Sequence, residues 1–334
     1  MGISVVVCTY NGRERLAPTL NAILGQTFDK NKFELIVVDN ASSDDTNQFC
    51  NQLLSQSSFG SWKVITESQP GLNFARLRGV REASFDFVLF CDDDNILQSD
   101  YLEVAHLILY SNSNIGVLGG FGVPAFEEEK PEWFDQHSHS FAVGPQARQN
   151  GHIKQRPASV YGAASFFRKE PLVRIFANGH TSIMSDRKEK SLASGGDLEL
   201  CFLIQLAGYE VWYDNRLIFQ HMMPKARMQW GYYLKLKTGI ASGSGRLLGH
   251  RWLIEEPNFT SFQFLLRILI QSGRLILSYS KYLLSSLLHK APTYSPEEID
   301  NVVLKTKIRV WWRNAFDAYS HFEKLRRIRL IRKD

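Results

Sequence analysis

Short apolar runs and helix-spaced stretches alternate strictly over the first 120 residues, and nothing else in the chain limits its fold so firmly. The runs lie at 3–8, 34–38, 62–66, 87–91 and 115–119. The stretches between them, 14–24, 44–54, 73–83 and 99–110, carry apolar residues at helical spacing. Parallel strands need a crossover between them, commonly a helix, so this order predicts an α/β fold with a mainly parallel, Rossmann-like central sheet. The run Phe87-Val88-Leu89-Phe90-Cys91 has no charged residue, as a strand buried on both faces requires. It ends in Asp92-Asp93-Asp94, where such a strand leaves the sheet. Clustered carboxylates repel and are costly to desolvate unless a cation or donors compensate. Ligands of open α/β sheets bind at the carboxyl ends of strands. The triplet therefore reads either as a divalent metal site that receives a phosphate or as a solvated acidic turn.

From 121 to 195 the pattern loosens around Pro124, the acidic 127–129, Pro131 and Trp133, which predicts long loops with one further strand at 160–167. Regularity returns as a helix at 197–206 and strands at 209–213 and 217–220. The expected organisation is a domain over 1–250, with its nucleotide-binding part at 1–120 and its acceptor and catalytic part at 121–250, then a helical, basic extension at 251–334. The net charge of +5 is concentrated in that extension, at Lys305, Lys307, Arg309, Arg313, Lys324, Arg326, Arg327, Arg329, Arg332 and Lys333. Basic tails suit an anionic membrane or nucleic acid; the reading adopted is membrane, without nucleic acid. Cys8, Cys50, Cys91 and Cys201 are scattered and read as small buried hydrophobes, not a disulfide framework. Residues 1–8 lack the basic start of a signal peptide and read as a first strand, so a cytoplasmic protein is expected.

The first run leads into Thr9-Tyr10-Asn11-Gly12-Arg13, and the second into Asp39-Asn40-Ala41-Ser42. Polar residues after two neighbouring strands make a nucleoside pocket, in which Asp39 can accept from a ring N–H and Tyr10 can face a base. Each is also ordinary turn chemistry. Joined to Gly71-Leu72-Asn73-Phe74-Ala75-Arg76 and Asp92-Asp93-Asp94, they resemble family 2 of the nucleotide-sugar glycosyltransferases, with the GT-A fold, over about residues 1–250. The resemblance implies sugar transfer from a nucleoside diphosphate donor, most often UDP-linked in that family, to an acceptor hydroxyl with inversion. It assigns Thr9, Tyr10, Asn11, Arg13, Asp39, Arg76, Asp92 and Asp93 to the donor. It matches Asp92 and Asp94 to the DxD motif, with Mn²⁺ or Mg²⁺ as cofactor. Asp93 points the other way if strand geometry persists. Leu77 stands where the family usually has Asn.

The segment Ser194-Gly195-Gly196-Asp197-Leu198-Glu199 is similar to the family's Gly-Glu-Asp motif, with Gly196 in place of Glu. Asp197 matches the catalytic base; it also reads as a helix cap, and the two roles are compatible. Glu199 reads as orienting the acceptor or the backbone. His221, behind the strand at 217–220, resembles the family's metal-binding histidine, and an imidazole beside carboxylate shifts preference towards Mn²⁺. The small residues 239–245 before Arg246 read as a loop closing over the diphosphate or as a plain linker. Trp133 and Trp230 read as sugar platforms or as core.

In 262–288, Arg267, Gln271, Arg274, Ser278, Lys281 and Ser285 share one helical stripe opposite a broad apolar face. No run approaches the roughly 18 apolar residues of a spanning helix. An interfacial membrane helix and a helix packed on the catalytic domain both fit, and Trp311-Trp312 with the basic tail favours membrane. The expectation is a metal-dependent inverting glycosyltransferase, peripheral on the inner face of the cell membrane. Its acceptor would be a glycan or lipid-linked glycan of bacterial-type cell-surface polysaccharide assembly. The alternatives are an inactive nucleotide-sugar-binding or scaffolding protein and a sugar-phosphate nucleotidyltransferase. The latter should carry a Gly-rich phosphate loop with a Lys, which residues 8–13 do not supply.

Overall fold

The computed structural model describes residues 2–184, 192, 194–288 and 291–328. Arg329, Arg332 and Lys333 of the basic tail lie outside the described residues. In the first half, β1 (Ile3–Thr9), α1 (Leu16–Leu24), β2 (Phe33–Asp39), α2 (Thr46–Ser55), β3 (Trp62–Thr66), α3 (Leu72–Glu82) and β4 (Phe87–Asp92) alternate as the apolar pattern requires. Next come β5 (Asn95–Leu97), α4 (Tyr101–Ser111), β6 (Ile115–Phe126), α5 (Phe134–His137), β7 (Gly151–His152), β8 (Ser165–Arg168) and α6 (Lys169–Ala177). The chain closes with α7 (Gly196–Leu206), β9 (Glu210–Met223), α8 (Trp230–Gly243), α9 (Leu248–Glu255), α10 (Ser261–Leu288) and α11 (Pro296–Ile328).

The strands form one sheet in the order β3-β2-β1-β4-β8-β6-β9-β5, with β7 on β9. The first four run parallel; β8 is antiparallel to both β4 and β6, and β6 and β9 are again parallel. Every residue of β1 and β2 is buried, which explains their unbroken apolar runs. Alternate side chains serve opposite faces: Val6, Ile36 and Val88 enter one core, while Val5, Val7, Leu35 and Leu89 enter the other. All four cysteines are buried and unpaired. The register sets Thr9 beside Asp39 and Cys8 beside Asp92, so the polar ends of three strands meet at one edge.

The second half departs from the pattern in three places. The two strands expected at 209–213 and 217–220 are one strand, β9, and β6 runs on to Phe126 beside it. Pro124 is tolerated because β8 pairs β6 only at Val117 and Leu118, so its missing N–H faces no ladder partner. The strand expected at 160–167 begins only at Ser165, and the residues before it form a loop. The presumed loop at 239–246 belongs largely to α8.

α10 and α11 form an antiparallel pair. Trp311 Nε1 donates to Ser272 Oγ at 2.8 Å, and the Lys305 ammonium lies 5.1 Å from the Tyr282 ring centre. The ring of Phe264 meets those of Tyr319 and Phe322. Phe264, Ile268, Ala318 and Phe322 share a buried cluster with Trp252 and Leu253 of α9 and Leu203 of α7. One face of α10 is thus packed. Among the described residues, no helix is long and apolar enough to cross a membrane.

Candidate active site

A cavity of about 950 Å³ opens at the carboxyl ends of β1, β2 and β4 and is closed by α7, α8 and the loop before β8. Thr9, Tyr10, Arg76, Asp92, Asp93, Asp94, Asp197 and His221 all face it. These residues come from five separate segments of the chain, and the fold gathers them.

β4 ends at Asp92, so alternation stops there and the turn to β5 sends all three carboxylates to the same cavity. Asp92 Oδ1 lies 3.7 Å from Arg76 Nη2. Arg76 is buried over the Phe90 ring, where α3 carries it. Gly71, which starts α3 with φ +138°, donates its N–H to Asn40 Oδ1 at 2.7 Å, tying α3 to the end of β2. Asp93 accepts from Thr9 Oγ1 at 2.6 Å and from Arg15 Nη2 at 2.7 Å. Burial, with Asp94 adding to it, holds the Asp93 carboxyl above its usual range against these donors.

Asp94 is buried, with Arg227 and His221 against its two oxygens. Its Oδ2 accepts from Arg227 Nη1 at 2.7 Å, and its Oδ1 lies 3.3 Å from His221 Nε2. The pairing of Asn95 with His221 across β5 and β9 delivers the imidazole to this point. His221 Nδ1 donates to the Phe141 carbonyl at 2.7 Å, which leaves the lone pair of Nε2 towards Asp94. Two lone-pair atoms approach so closely only with a proton or a cation between them. The pair therefore fits a divalent cation, and a mixed nitrogen and oxygen donor set suits Mn²⁺ at least as well as Mg²⁺.

Asp197 lies in the first turn of α7, behind Gly195 at φ +132°. Gly195, not Asp197, holds the cap position. The Asp197 carboxylate accepts from its neighbour Leu198 N–H at 2.9 Å and from Gly162 N–H at 2.9 Å. Gly162 cannot be larger: a Cβ there would lie 2.8 Å from both Arg76 Nη2 and Asp197 Cβ. That close approach brings Arg76, and with it Asp92, next to Asp197.

Six of the expected residues stand elsewhere. Arg13 turns outwards, pairing with Asp45 at 3.4 Å over the Phe49 ring. Asn11 joins two loops, its Oδ1 accepting from Ser43 N–H at 2.8 Å. Asp39 is buried behind the wall and accepts from Ser42 N–H. Trp133 packs in an aromatic cluster, 5.4 Å from Trp230 and from Tyr233, so neither tryptophan is a platform at the cavity. Arg246 is held by Asn314 and Asp317 of α11.

Glu199 is buried one helical step behind Asp197, where it accepts from Ser182 Oγ, Ile183 N–H and Met184 N–H. His180 Nε2 lies 3.2 Å and His250 Nε2 3.9 Å from Glu199 Oε1. Burial alone would raise the Glu199 carboxyl, yet these neighbours hold it below its usual range, while burial pushes the His250 imidazole down to about 3. The ligand-type atoms of His180, Glu199 and His250 lie within 4.8 Å of one another, a second grouping able to take a cation. It fixes the segment that leads to Met184 on the cavity wall.

Three cations at the cavity escaped the sequence reading: Arg15, Arg227 and Lys237. Burial holds the Lys237 ammonium below its usual range. No local pattern marks any of them, because each reaches the cavity through tertiary packing.

The family model for glycosyl transferase family 2 matches residues 4–176 of the 334. The chain is 23% identical to the glucosyl-dolichyl phosphate glucuronosyltransferase of Haloferax volcanii over 239 residues, 70% of this chain and 72% of that protein. It is 31% identical to the poly(ribitol-phosphate) beta-N-acetylglucosaminyltransferase TarS of Staphylococcus aureus over 140 residues. That match covers 40% of this chain and 24% of TarS, so it spans about a quarter of the relative's length. Among solved structures, mannosyltransferase PcManGT of Pyrobaculum calidifontis, in complex with GDP-Man and Mn²⁺, superposes with a TM-score of 0.57. The identity is 16%, over 94% of this chain and 87% of that one. S. aureus TarS 1–349, in complex with UDP-GlcNAc, gives 0.52 at 16% identity, over 98% and 91%. The fold agreement runs over nearly the whole chain and the family match over its first half. The chain belongs to glycosyl transferase family 2, and it is a glycosyltransferase with the GT-A fold.

Proposed function

We propose that this glycosyltransferase moves a sugar from a UDP-linked donor to an acceptor hydroxyl, with inversion at the anomeric carbon, in assembly of a cell-surface or lipid-linked glycan. One observation carries the reading: the acidic triplet, Arg76, His221 and Asp197 face a single cavity. Tyr10 is the exposed aromatic at the base-binding end, and Arg76 beside Asp92 is the cation nearest the carboxylate that opens the triplet. A divalent cation would be held by Asp94 and His221, with Asp92 close by, and when bound it neutralises the charge that develops on the diphosphate.

Asp197 is the base. Its two backbone donors fix the carboxylate, and a fixed carboxylate at a cavity wall can take the acceptor's proton as the hydroxyl oxygen attacks C1. The new C1–O bond forms on the face opposite the departing oxygen, the bond from C1 to the diphosphate breaks, and the nucleoside diphosphate leaves with the electron pair. Arg15, Arg227 and Lys237 supply positive charge around that leaving group.

The donor nucleotide is tested by thermal stabilisation of the native chain with UDP- and GDP-linked sugars, each with Mn²⁺. A ligand at 100 times its Kd stabilises by about 2.7 kcal/mol, enough for a clear upward shift in Tm. The expected result is a shift with one or more UDP-sugars that chelation abolishes. A shift with GDP-linked sugars alone would move the donor assignment, and no shift with any nucleotide sugar would remove it.

A further inference from the structure

We propose that the solvent-facing side of α10 docks the protein on an anionic bilayer surface. α10 spends one face on its partner: Phe264, Ile268 and Ser272 are buried, with Trp311 of α11 bonded to Ser272. The opposite side is apolar too. Among the described residues it exposes ten large hydrophobic side chains from Phe262 to Leu287, each at least 45% exposed. Leu269, Ile276, Leu284 and Leu287 recur at the spacing of one helical face, so they form a stripe and not a scatter. With Phe262 at its start, the apolar surface runs about 37 Å along the helix at 1.5 Å per residue. Isolated exposed hydrophobes need no explanation, but a continuous stripe of this length on a water-soluble surface does.

Charge selects the occupant. α10 contains no acidic residue. Its exposed Arg274 and Lys281 lie along one flank of the stripe, and neither has a carboxylate within 4 Å among the described residues. On α11, Lys305, Arg309 and Arg313 are exposed at the same helical interval as Trp312, which is 63% exposed, and Phe316, which is 73% exposed. Exposed apolar side chains flanked on the same helix by Arg274 and Lys281 match an interface of acyl chains below anionic headgroups. A second copy of the chain fits less well, because pairing α10 with α10 would bring cations together with no carboxylate on either helix to answer them. α10 is not apolar enough to span the bilayer, so it lies in the plane of the interface.

The docking surface is joined firmly to the cavity. α11 carries Asn314, whose Nδ2 donates to the Ser242 carbonyl of α8 at 2.7 Å, and α8 supplies Lys237 to the cavity wall. An acceptor held at the same membrane would therefore meet a cavity at fixed distance from it. The docking inference is independent of the donor chemistry and is tested apart from it.

The test is cosedimentation of the full chain with vesicles of phosphatidylcholine, with and without phosphatidylglycerol. The native chain should bind the anionic vesicles, less so as salt rises. Leu269→Gln, Ile276→Gln and Leu284→Gln in one chain should weaken binding by about 10-fold or more, about 1.4 kcal/mol or more. All three side chains are exposed, so circular dichroism and nucleotide-sugar stabilisation should match the native chain. Arg274→Gln with Lys281→Gln and Arg313→Gln should remove the preference for phosphatidylglycerol. Binding unchanged in the triple glutamine chain would overturn the proposal. So would a native chain that ignores vesicles, including one that sediments as a dimer which the glutamines split into monomers.

Discussion

Asp197→Asn should leave donor affinity within about 2-fold of native while lowering the turnover number by about 10²–10⁴-fold, the usual contribution of a positioned general base. The amide keeps the shape of the side chain and one acceptor. It offers an N–H₂ where the carboxylate accepts from either Leu198 or Gly162, so a stability loss of about 1 kcal/mol should accompany the change. Single-turnover transfer, measured beside nucleotide-sugar calorimetry, separates the two effects. Transfer within a few-fold of native would reduce Asp197 to a structural residue at the start of α7. Loss of donor affinity in step with turnover would make it a donor-binding group.

Asp94→Ala should weaken Mn²⁺-dependent UDP binding by at least about 100-fold, roughly 2.7 kcal/mol. The reason is the convergence of Asp94 Oδ1 and His221 Nε2 at 3.3 Å, which leaves a cation without its oxygen ligand once the carboxylate is gone. The substitution also releases Arg227 from its 2.7 Å contact, so the fold should be checked by its melting transition. Calorimetry with UDP, with and without Mn²⁺, reads the difference directly. Unchanged affinity would locate the cation away from the triplet, and the buried group of His180, Glu199 and His250 would then be the first place to look.

The first half of the fold was legible because three of its strands, β1, β2 and β4, are buried on both faces. Their apolar runs are too short for helices, which settles them as strands, and the intervening helices keep their own period. The second half hid its structure for local reasons. Residues 214–216 look like a turn because Asp214, Asn215 and Arg216 are polar, yet β9 continues across them as a bulge: its pairing with β6 jumps from Gly119–Tyr213 to Phe121–Ile218, and Arg216 folds back on Asp214 at 2.8 Å. The run of small residues at 239–245 reads as flexible when seen alone. In the fold Gly243 is small for close packing: a Cβ there would lie 2.4 Å from Met184 Cε and 3.1 Å from the Ser194 carbonyl. A glycine needed by a neighbour and a glycine needed by a loop are identical in sequence.

The site shows the same division. Thr9, the triplet, Asp197 and His221 sit at or near element ends, and Arg76 lies in the second turn of the helix that its own motif opens, so motif and geometry coincide. Arg13 and Arg15 are two residues apart in one turn, and nothing in the sequence says which folds back over Tyr10 and Asn11 to reach Asp93. The structure selects Arg15. Arg227 and Lys237 depend on how α8 lies across the cavity, which is settled by its contacts with Met184 and Asn314. The helical stripe in α10 is visible in the sequence, where membrane and catalytic domain read as rival partners for it. The helix has apolar side chains on two sides, one turned to α11 and one to solvent.

The proposal is that one cavity both binds the donor diphosphate through a cation and turns the donor over. It is tested most directly by following nucleoside diphosphate release from UDP-sugars on the native chain, in Mn²⁺ and after chelation. Release is expected from at least one UDP-sugar, faster with a hydroxyl acceptor present, abolished by chelator and restored by added Mn²⁺. Release that persists unchanged in chelator would contradict the role given to Asp94 and His221. Donor binding without release from any nucleotide sugar would contradict catalysis at this cavity.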